Sequence, residues 1–257
     1  MIVGIDPRSD RPVYRQIADV VRAQIAGGEL AAGDQLPSER ELMEGFGASR
    51  GTVRNAVSLL KAEGLVEVEH GRGAYVRRLP PVRRLSFDRF ARRHRDAGKA
   101  AYLAEMESES REAGVEVIRV ERDVASVDVA RALGLAAGDP VLVRARRYLA
   151  DGYPMEIATS YLPWRLVVGS QMTHENPGPG GIYARLEEAG HRLGSFTEEV
   201  SARMPTPEET RALRLAPGVP VLHLLRTAID TDGVPVEICD TVMAADRYVL
   251  FYALPAE

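Results

Sequence analysis

Residues 46–57 read FGASRGTVRNAV, and Arg50 and Arg54 within them are spaced to do chemistry. Two guanidiniums four residues apart on a helix share one face. There they can grip phosphate oxygens or donate to the edges of guanine bases. The helix itself gains nothing from them. Ser49 is a good N-cap, because its hydroxyl can accept a backbone N–H of the first turn. Arg50 then stands at the positive end of the helix dipole, and Gly51 behind it costs about 1 kcal/mol relative to alanine. At about 100° per residue, Lys61 and Ser58 fall near Arg50 and Arg54, while Val53, Ala56, Val57 and Leu60 form a neighbouring apolar face. A basic stripe alone describes a solvated surface equally well. Three features favour a nucleic-acid face: the cations begin at the helix tip, Gly51 and Thr52 are small enough for close approach, and a short capped helix with a tight GFGAS turn precedes them. That is a helix-turn-helix arrangement, whose second helix reads the major groove with its first residues.

The elements that position this tip are legible. Asp10 is expected to cap a helix with Pro12 in its first turn and Val13, Ile17, Val20, Val21 and Ile25 along its apolar face. Ser38 and Glu41 have capping-box spacing, with a helix end at Gly45 or Gly47. The helix from Ser49 should run to about Glu63 and stop at Gly64. LVEVEHGRGAYVRR alternates around a Gly-x-Gly turn, which reads as a β-hairpin. Three helices and a hairpin make a small domain over residues 1–77.

RRLPPVRRLSF follows, with the Pro- and Arg-rich stretch 78–86 as the expected linker. An internal repeat occupies the rest. RALGLAAGDPVLVRARRYLADGYPMEI resembles RALRLAPGVPVLHLLRTAIDTDGVPVEI, with Arg146 and Arg226 80 residues apart and Glu156 and Glu237 81 apart. Each copy reads as a helix start, a Gly turn, a strand, a D-G turn and a second strand. The expected fold class is α+β: the helical N-terminal domain, then over 87–257 a pseudo-two-fold domain with one antiparallel sheet and helices on one face. Alternate strand residues share a side, so Arg144, Arg146 and Tyr148 should line one pocket where the halves meet.

Composition narrows the classes. The single cysteine, Cys239, excludes an internal disulfide and any multi-cysteine zinc site; it is expected to be a buried strand residue. No apolar run approaches a membrane span of about 20 residues, and the first residues lack a signal-peptide core, so a soluble cytoplasmic protein without membrane contact is expected. Net charge is −4, but residues 79–99 hold 7 Arg and Lys against 2 Asp and Glu, while 100–257 hold 15 against 24. The histidines at 70, 94, 174, 191 and 223 are isolated, so no metal is expected. No nucleophile elbow, Walker loop or dinucleotide fingerprint is present, and no cofactor or catalytic residue is expected.

LPSERELMEGFGASRGTVRNAVSLLKAEGLVEVEHGRGAYV resembles the winged helix-turn-helix of GntR-type bacterial transcription regulators. RRYLADGYPMEIATSYLP, GIYARLEEAGH and DGVPVEICDTVMAADRYVLF resemble the UTRA effector domain, which places the chain in the HutC subfamily. The resemblance implies a chorismate-lyase-like effector fold, a homodimer, a double-stranded DNA operator in the form of an inverted repeat, and a small-molecule effector that controls binding. Arg40, Arg50 and Arg54 match the family's DNA-contacting arginines, and Gly71 matches the wing-tip glycine, with Arg72 beside it. Ser38 and Ser49 are caps that can also donate to phosphate, and Thr52 can donate to phosphate or touch a thymine methyl. A surface ion pair with Glu44 is the competing reading of Arg40.

In the effector domain the family often has an arginine pair spaced i and i+2 before the D-G turn; here Arg146 keeps the first place and Tyr148 takes the second. The family glutamate before SYLP is Ala158 here, a tyrosine is Met243, and a serine is Gly180 or Gly181. These losses weaken the case for a sugar phosphate, while Arg146 and the helix start at Gly181 still suit an anion. Phe87 stands where the family packs an aromatic near the ligand, and Glu237 matches a ligand-facing glutamate. A structural ion pair is the competing reading for Arg146 and Glu237. The expected protein is a repressor that is not an enzyme. The rival is an enzyme acting on a small carboxylate, with the N-terminal domain targeting it to DNA.

Overall fold

The computed structural model describes residues 5–6, 8–69, 72–77 and 81–254. Contacts divide the chain into two compact units, Met1–Pro81 with Leu215–Val219, and Val82–Arg214 with Pro220–Glu257.

The first unit holds α1 (Val13–Ala26), α2 (Glu39–Phe46) and α3 (Arg50–Ala62), then β1 (Val66–Glu69) and β2 (Gly73–Val76). Helix α1 starts later than its sequence suggests. Pro12 is the N-cap and no side chain caps it, so Asp10 is not the cap. Helix α2 carries the full capping box: Ser38 accepts from the Glu41 N–H, and Glu41 accepts from the Ser38 N–H at 2.8 Å. It ends on Gly47 at φ 58°, a left-handed conformation that glycine adopts without strain. Ser49 caps α3 by accepting from the Thr52 N–H at 3.2 Å. The hairpin is antiparallel, with Val66 opposite Val76 and Glu69 opposite Gly73. Ile17, Val21, Leu42, Phe46, Val53, Leu60 and Val66 are buried together, each contributing roughly 1.5–3 kcal/mol of apolar burial. One face of each helix is thereby spent on the core, which leaves the Arg50 and Arg54 face of α3 exposed.

The second unit begins with β3 (Val82–Leu85), α4 (Ser86–Arg89), α5 (Arg92–Asp96) and α6 (Ala101–Ser108). The segment expected as a linker therefore contains a strand, which pairs in parallel with β10 (Tyr248–Phe251), Val82 opposite Tyr248. Then come β4 (Ala113–Val124), α7 (Val127–Leu133), β5 (Pro140–Ala150), β6 (Tyr153–Pro163), α8 (Trp164–Val167), α9 (Gly181–Glu188), β7 (Leu193–Arg203), α10 (Pro207–Ala212), β8 (Val221–Asp230) and β9 (Pro235–Ala244).

The main sheet has the order β4-β5-β6-β9-β8-β7, with every neighbouring pair antiparallel. The internal repeat is wider than the sequence match. Helices α6 and α9 start 80 residues apart, as do strands β4 and β7. Each half is thus helix, strand, helix, strand, strand, and the halves meet along β6 and β9. Thr159 pairs with Asp240 at that seam, and the two are repeat counterparts, so the pseudo-dyad passes between them. Among the described residues, no helix is long and apolar enough to cross a membrane.

Candidate functional site

Two sites emerge, one in each unit. In the first, Glu39 on α2 accepts from Nε of Arg50 and Nε of Arg54, both at 2.8 Å. Hydrogen bonds from Arg54 and then Arg50 hold its carboxyl below the usual carboxylate range. One carboxylate thus separates two like charges that would repel on the same helical face. Both arginines stay mostly exposed, and their Nη groups have no hydrogen bond among the described residues. Arg40 lies 3.6 Å from Glu44, the surface pair weighed from the sequence, and such a pair exchanges easily for a phosphate. The Thr52 hydroxyl is 2.8 Å from that of Ser49. At the hairpin, Gly71 lies outside the described residues. The Arg72 carbonyl next to it accepts from the Gln35 amide at 2.9 Å and the Tyr75 hydroxyl at 3.1 Å. The tip is an exposed surface of paired arginines with hydroxyls at its two caps.

The second site is a cavity of about 430 Å³ at the seam of the repeat. Of the residues expected there, Arg144, Arg146, Tyr148, Gly181 and Glu237 line it. Phe87 lies on α4, and its side chain is not among those described. Strand alternation explains the floor: Arg144, Arg146 and Tyr148 on β5, Glu156, Ala158 and Ser160 on β6, and Glu237, Cys239 and Thr241 on β9 all point into it. Arg89, Tyr183 and Arg226, absent from the sequence-based set, line it too. Repeat equivalence was the available signal for two of the missing groups, Arg226 as the counterpart of Arg146 and Glu156 as that of Glu237. Tyr183 lies in the GIYARLEEAGH match. Arg89 carried no signal.

The charged groups here have distinct jobs. Arg144 donates to the carbonyls of Met172 and His174, and to that of Glu175 at 2.8 Å. It pins the loop before α9, and burial followed by repulsion from Arg146 lowers its pKa to about 10. Arg89 is paired with Glu105 and, at 3.5 Å, with Glu156. Burial pushes the Glu105 carboxyl up, against the pull of Arg89. Arg226 donates from Nε to the Tyr183 hydroxyl at 3.1 Å, lies 3.9 Å from Glu198 and from Glu237, and stacks over Phe90 at 4.6 Å. Tyr183 in turn donates to Glu237. A mutual pair between Arg146 and Glu237 is therefore not formed. Arg146 donates to Ser160 and lies over the Tyr148 ring at 5.7 Å, while its buried Nε has no partner. Nε of Arg89 and of Arg144 is likewise buried without a partner, but Arg146 is the one whose other contacts include no carboxylate or carbonyl. The cavity can thus hold a small molecule on its guanidinium.

Comparison with known proteins bears on both sites. Residues 13–76 match the family described as bacterial regulatory proteins, gntR family, and residues 108–249 match the UTRA domain. An uncharacterized HTH-type transcriptional regulator of Streptomyces coelicolor is 37% identical, over 94% of this chain and 92% of its own length. The HTH-type transcriptional repressor NagR of Bacillus subtilis is 30% identical, over 97% of this chain and 98% of its own. The crystal structure of PhnF from Mycobacterium smegmatis superposes with a TM-score of 0.61 at 24% identity, covering 94% of this chain and all of that one (100%), and so shows the shared fold.

Proposed function

This chain belongs to the GntR family of bacterial regulatory proteins, in the HutC type that joins a winged helix-turn-helix to a UTRA domain, and on that premise we propose that it is a cytoplasmic repressor released or engaged by a small molecule. It is a transcription regulator, with a DNA-binding domain and an effector-binding domain. The observation that carries the finer reading is the pairing, in one chain, of an exposed arginine tip on α3 with a cavity holding an unsatisfied arginine at the seam of the repeat.

In this reading Arg50 and Arg54 read base edges, with Arg40 and Thr52 beside them. Ser38, Ser49 and Arg72 contact the backbone, and Gly71 brings the wing close to the minor groove. One short helix binds weakly, so a homodimer formed through residues 87–257 reads an inverted repeat. The effector occupies the cavity on Arg146, with Tyr148 and Glu237 setting its orientation. Coupling of about 1–3 kcal/mol between the sites, or 5–150-fold in operator affinity, is typical. The name of the B. subtilis relative supports the repressor reading.

Selection from a pool of random duplex DNA, with and without cell metabolites, tests it. The expected winner is an inverted repeat whose affinity changes with a metabolite fraction, and Arg146→Ala should keep the affinity while losing the response. Selection of no sequence, or an unchanged response in Arg146→Ala, would overturn it. The enzyme alternative predicts turnover of the bound metabolite, whereas the regulator returns it unchanged.

A further inference from the structure

The pseudo-dyad sets two arginines in equivalent places, and only one of them is satisfied. Arg226 has three oxygen partners: Tyr183 from α9, Glu237 from β9 at 3.9 Å and, also at 3.9 Å, Glu198 opposite it on β7, which is shared with Arg84. The repeat identifies what replaces each of them around Arg146. The position on α6 equivalent to Tyr183 is Leu103 at the 80-residue spacing of the helix starts, and Tyr102, whose buried hydroxyl has no hydrogen-bond partner, at the 81-residue spacing of the facing strands. Opposite Arg146 on β4, where Arg226 has Glu198, is Val117. The counterpart of Glu237 is Glu156, whose carboxylate lies 3.5 Å from Arg89. The carboxylate on the neighbouring strand has thus become apolar, the glutamate on β6 pairs with another cation, and no tyrosine of α6 bonds to Arg146. Arg146 Nε is buried without a partner, and no carboxylate lies within ion-pair distance of Arg146 among the described residues. A buried guanidinium edge left in this state is costly.

Resting on the reading that this cavity is the effector site, we infer that the effector is a small carboxylate on an apolar body. Its carboxylate gives Arg146 the oxygens that the protein itself gives Arg226, and its body lies on Leu103, Val115 and Val117, all of which line the cavity. Both oxygens of a carboxylate can meet the guanidinium edge side by side.

A phosphate ester fits this site poorly. A dianion asks for several donors, and two of the backbone donors at the mouth are already spent. The Gly180 N–H donates to the Gly98 carbonyl at 2.8 Å and the Gly181 N–H to the Gly178 carbonyl at 3.1 Å. Gly181 is at φ +69°, and a Cβ there would meet the Ala100 Cβ at 3.3 Å, so no hydroxyl-bearing residue fits in its place without strain. Arg144 is held by carbonyls, and Arg89 and Arg226 by carboxylates. Nε of Arg89 and of Arg144 is also buried without a partner, but among the four arginines that line the cavity Arg146 alone has neither a carboxylate nor a backbone carbonyl to hold it, which matches one negative charge.

The test uses the full-length protein and matched pairs of probes: hexanoate against hexyl phosphate, and benzoate against phenyl phosphate. Calorimetric titration and thermal melting report binding. Both carboxylates should bind and raise the melting temperature, each more tightly than its phosphate. Arg146→Gln should weaken them roughly tenfold or more, the worth of a hydrogen bond to a charged group, and Arg146→Lys should recover part of the loss. Val117→Glu, which restores the missing carboxylate from within, should abolish carboxylate binding in a chain that still melts cooperatively. Tighter binding of the phosphates, no binding of either carboxylate, or carboxylate binding that survives in both Arg146→Gln and Val117→Glu would overturn the inference. Operator titration at saturating carboxylate separates the two readings. Arg146-dependent binding that leaves operator affinity unchanged keeps the ligand class and removes the effector role. A metabolite that shifts operator affinity but binds Arg146→Gln normally removes both.

Discussion

Arginine is used in opposite ways in the two units. On α3, Arg50 and Arg54 share the single carboxylate of Glu39 in open solvent. In the sheet unit, Arg89 is closed between Glu105 and Glu156, and Arg226 among Tyr183, Glu198 and Glu237. A surface pair is worth about 0–1 kcal/mol and exchanges freely, so the tip can trade Glu39 for DNA at little cost. An interior pair cannot be opened cheaply, because each charge would be stranded away from water. Arginine is thus available for recognition in two situations: where water already competes for it, or where the fold withholds a partner, as around Arg146.

The contrast can be broken by experiment, and the largest effect belongs to the interior. Arg89→Met leaves Glu105 and Glu156 without their cation and should cost about 3–5 kcal/mol in urea unfolding. A loss under about 1 kcal/mol would put Arg89 in the same class as the surface arginines. Next, Arg50→Ala and Arg54→Ala should each cost about 1–3 kcal/mol of operator binding, with thermal stability held or raised in Arg50→Ala because a cation leaves the positive end of a helix dipole; wild-type binding by either variant would move the recognition face elsewhere. Ser38→Ala should cost about 1 kcal/mol of unfolding free energy through the lost cap on α2, and a neutral result would mean that Glu41 alone holds that helix start. The smallest effect is a titration. Hydrogen bonds from Arg203 and Thr206 hold the Glu209 carboxyl down at about 2 from its ordinary 4.5. Because the folded value is depressed, its contribution is complete above about pH 4.5 and disappears as pH falls toward 2. Glu209→Gln should cost about 1 kcal/mol or less at neutral pH and flatten the pH dependence of stability in that window.

The sequence showed most where signals were local. The caps at Ser38 and Ser49, the glycine stop after α2 and the D-G turns depend on residues a few positions apart, and all stand as read. Strands β4 and β7 went unread because they are sheet edges whose residues are mostly exposed or half-buried, so neither carries a clean apolar alternation. Strand β3 was hidden in a Pro- and Arg-rich stretch because its partner, β10, is more than 160 residues away. The same division holds for the cavity. Arg146 and Tyr148 followed from alternation along a single strand. Arg89 reaches the cavity from a four-residue helix, and only tertiary packing decides where such a helix points.

The pairing of β3 with β10 bears on how force travels through the chain. The polypeptide entering the sheet unit at Val82 is stitched alongside residues 248–251, and both strands run the same way. Tension on the segment before Val82 therefore falls on the hydrogen bonds of this seam before it reaches the main sheet. The Ser86 hydroxyl, donating to the Phe251 carbonyl at 3.1 Å, and the Arg83 guanidinium, stacked on the Phe251 ring at 4.3 Å, rivet the far end of the seam. Deleting residues 248–251 would remove that seam and, because Tyr248 and Leu250 pack with Tyr102 and Tyr148 of the cavity wall, would loosen the cavity along with the entry of the chain.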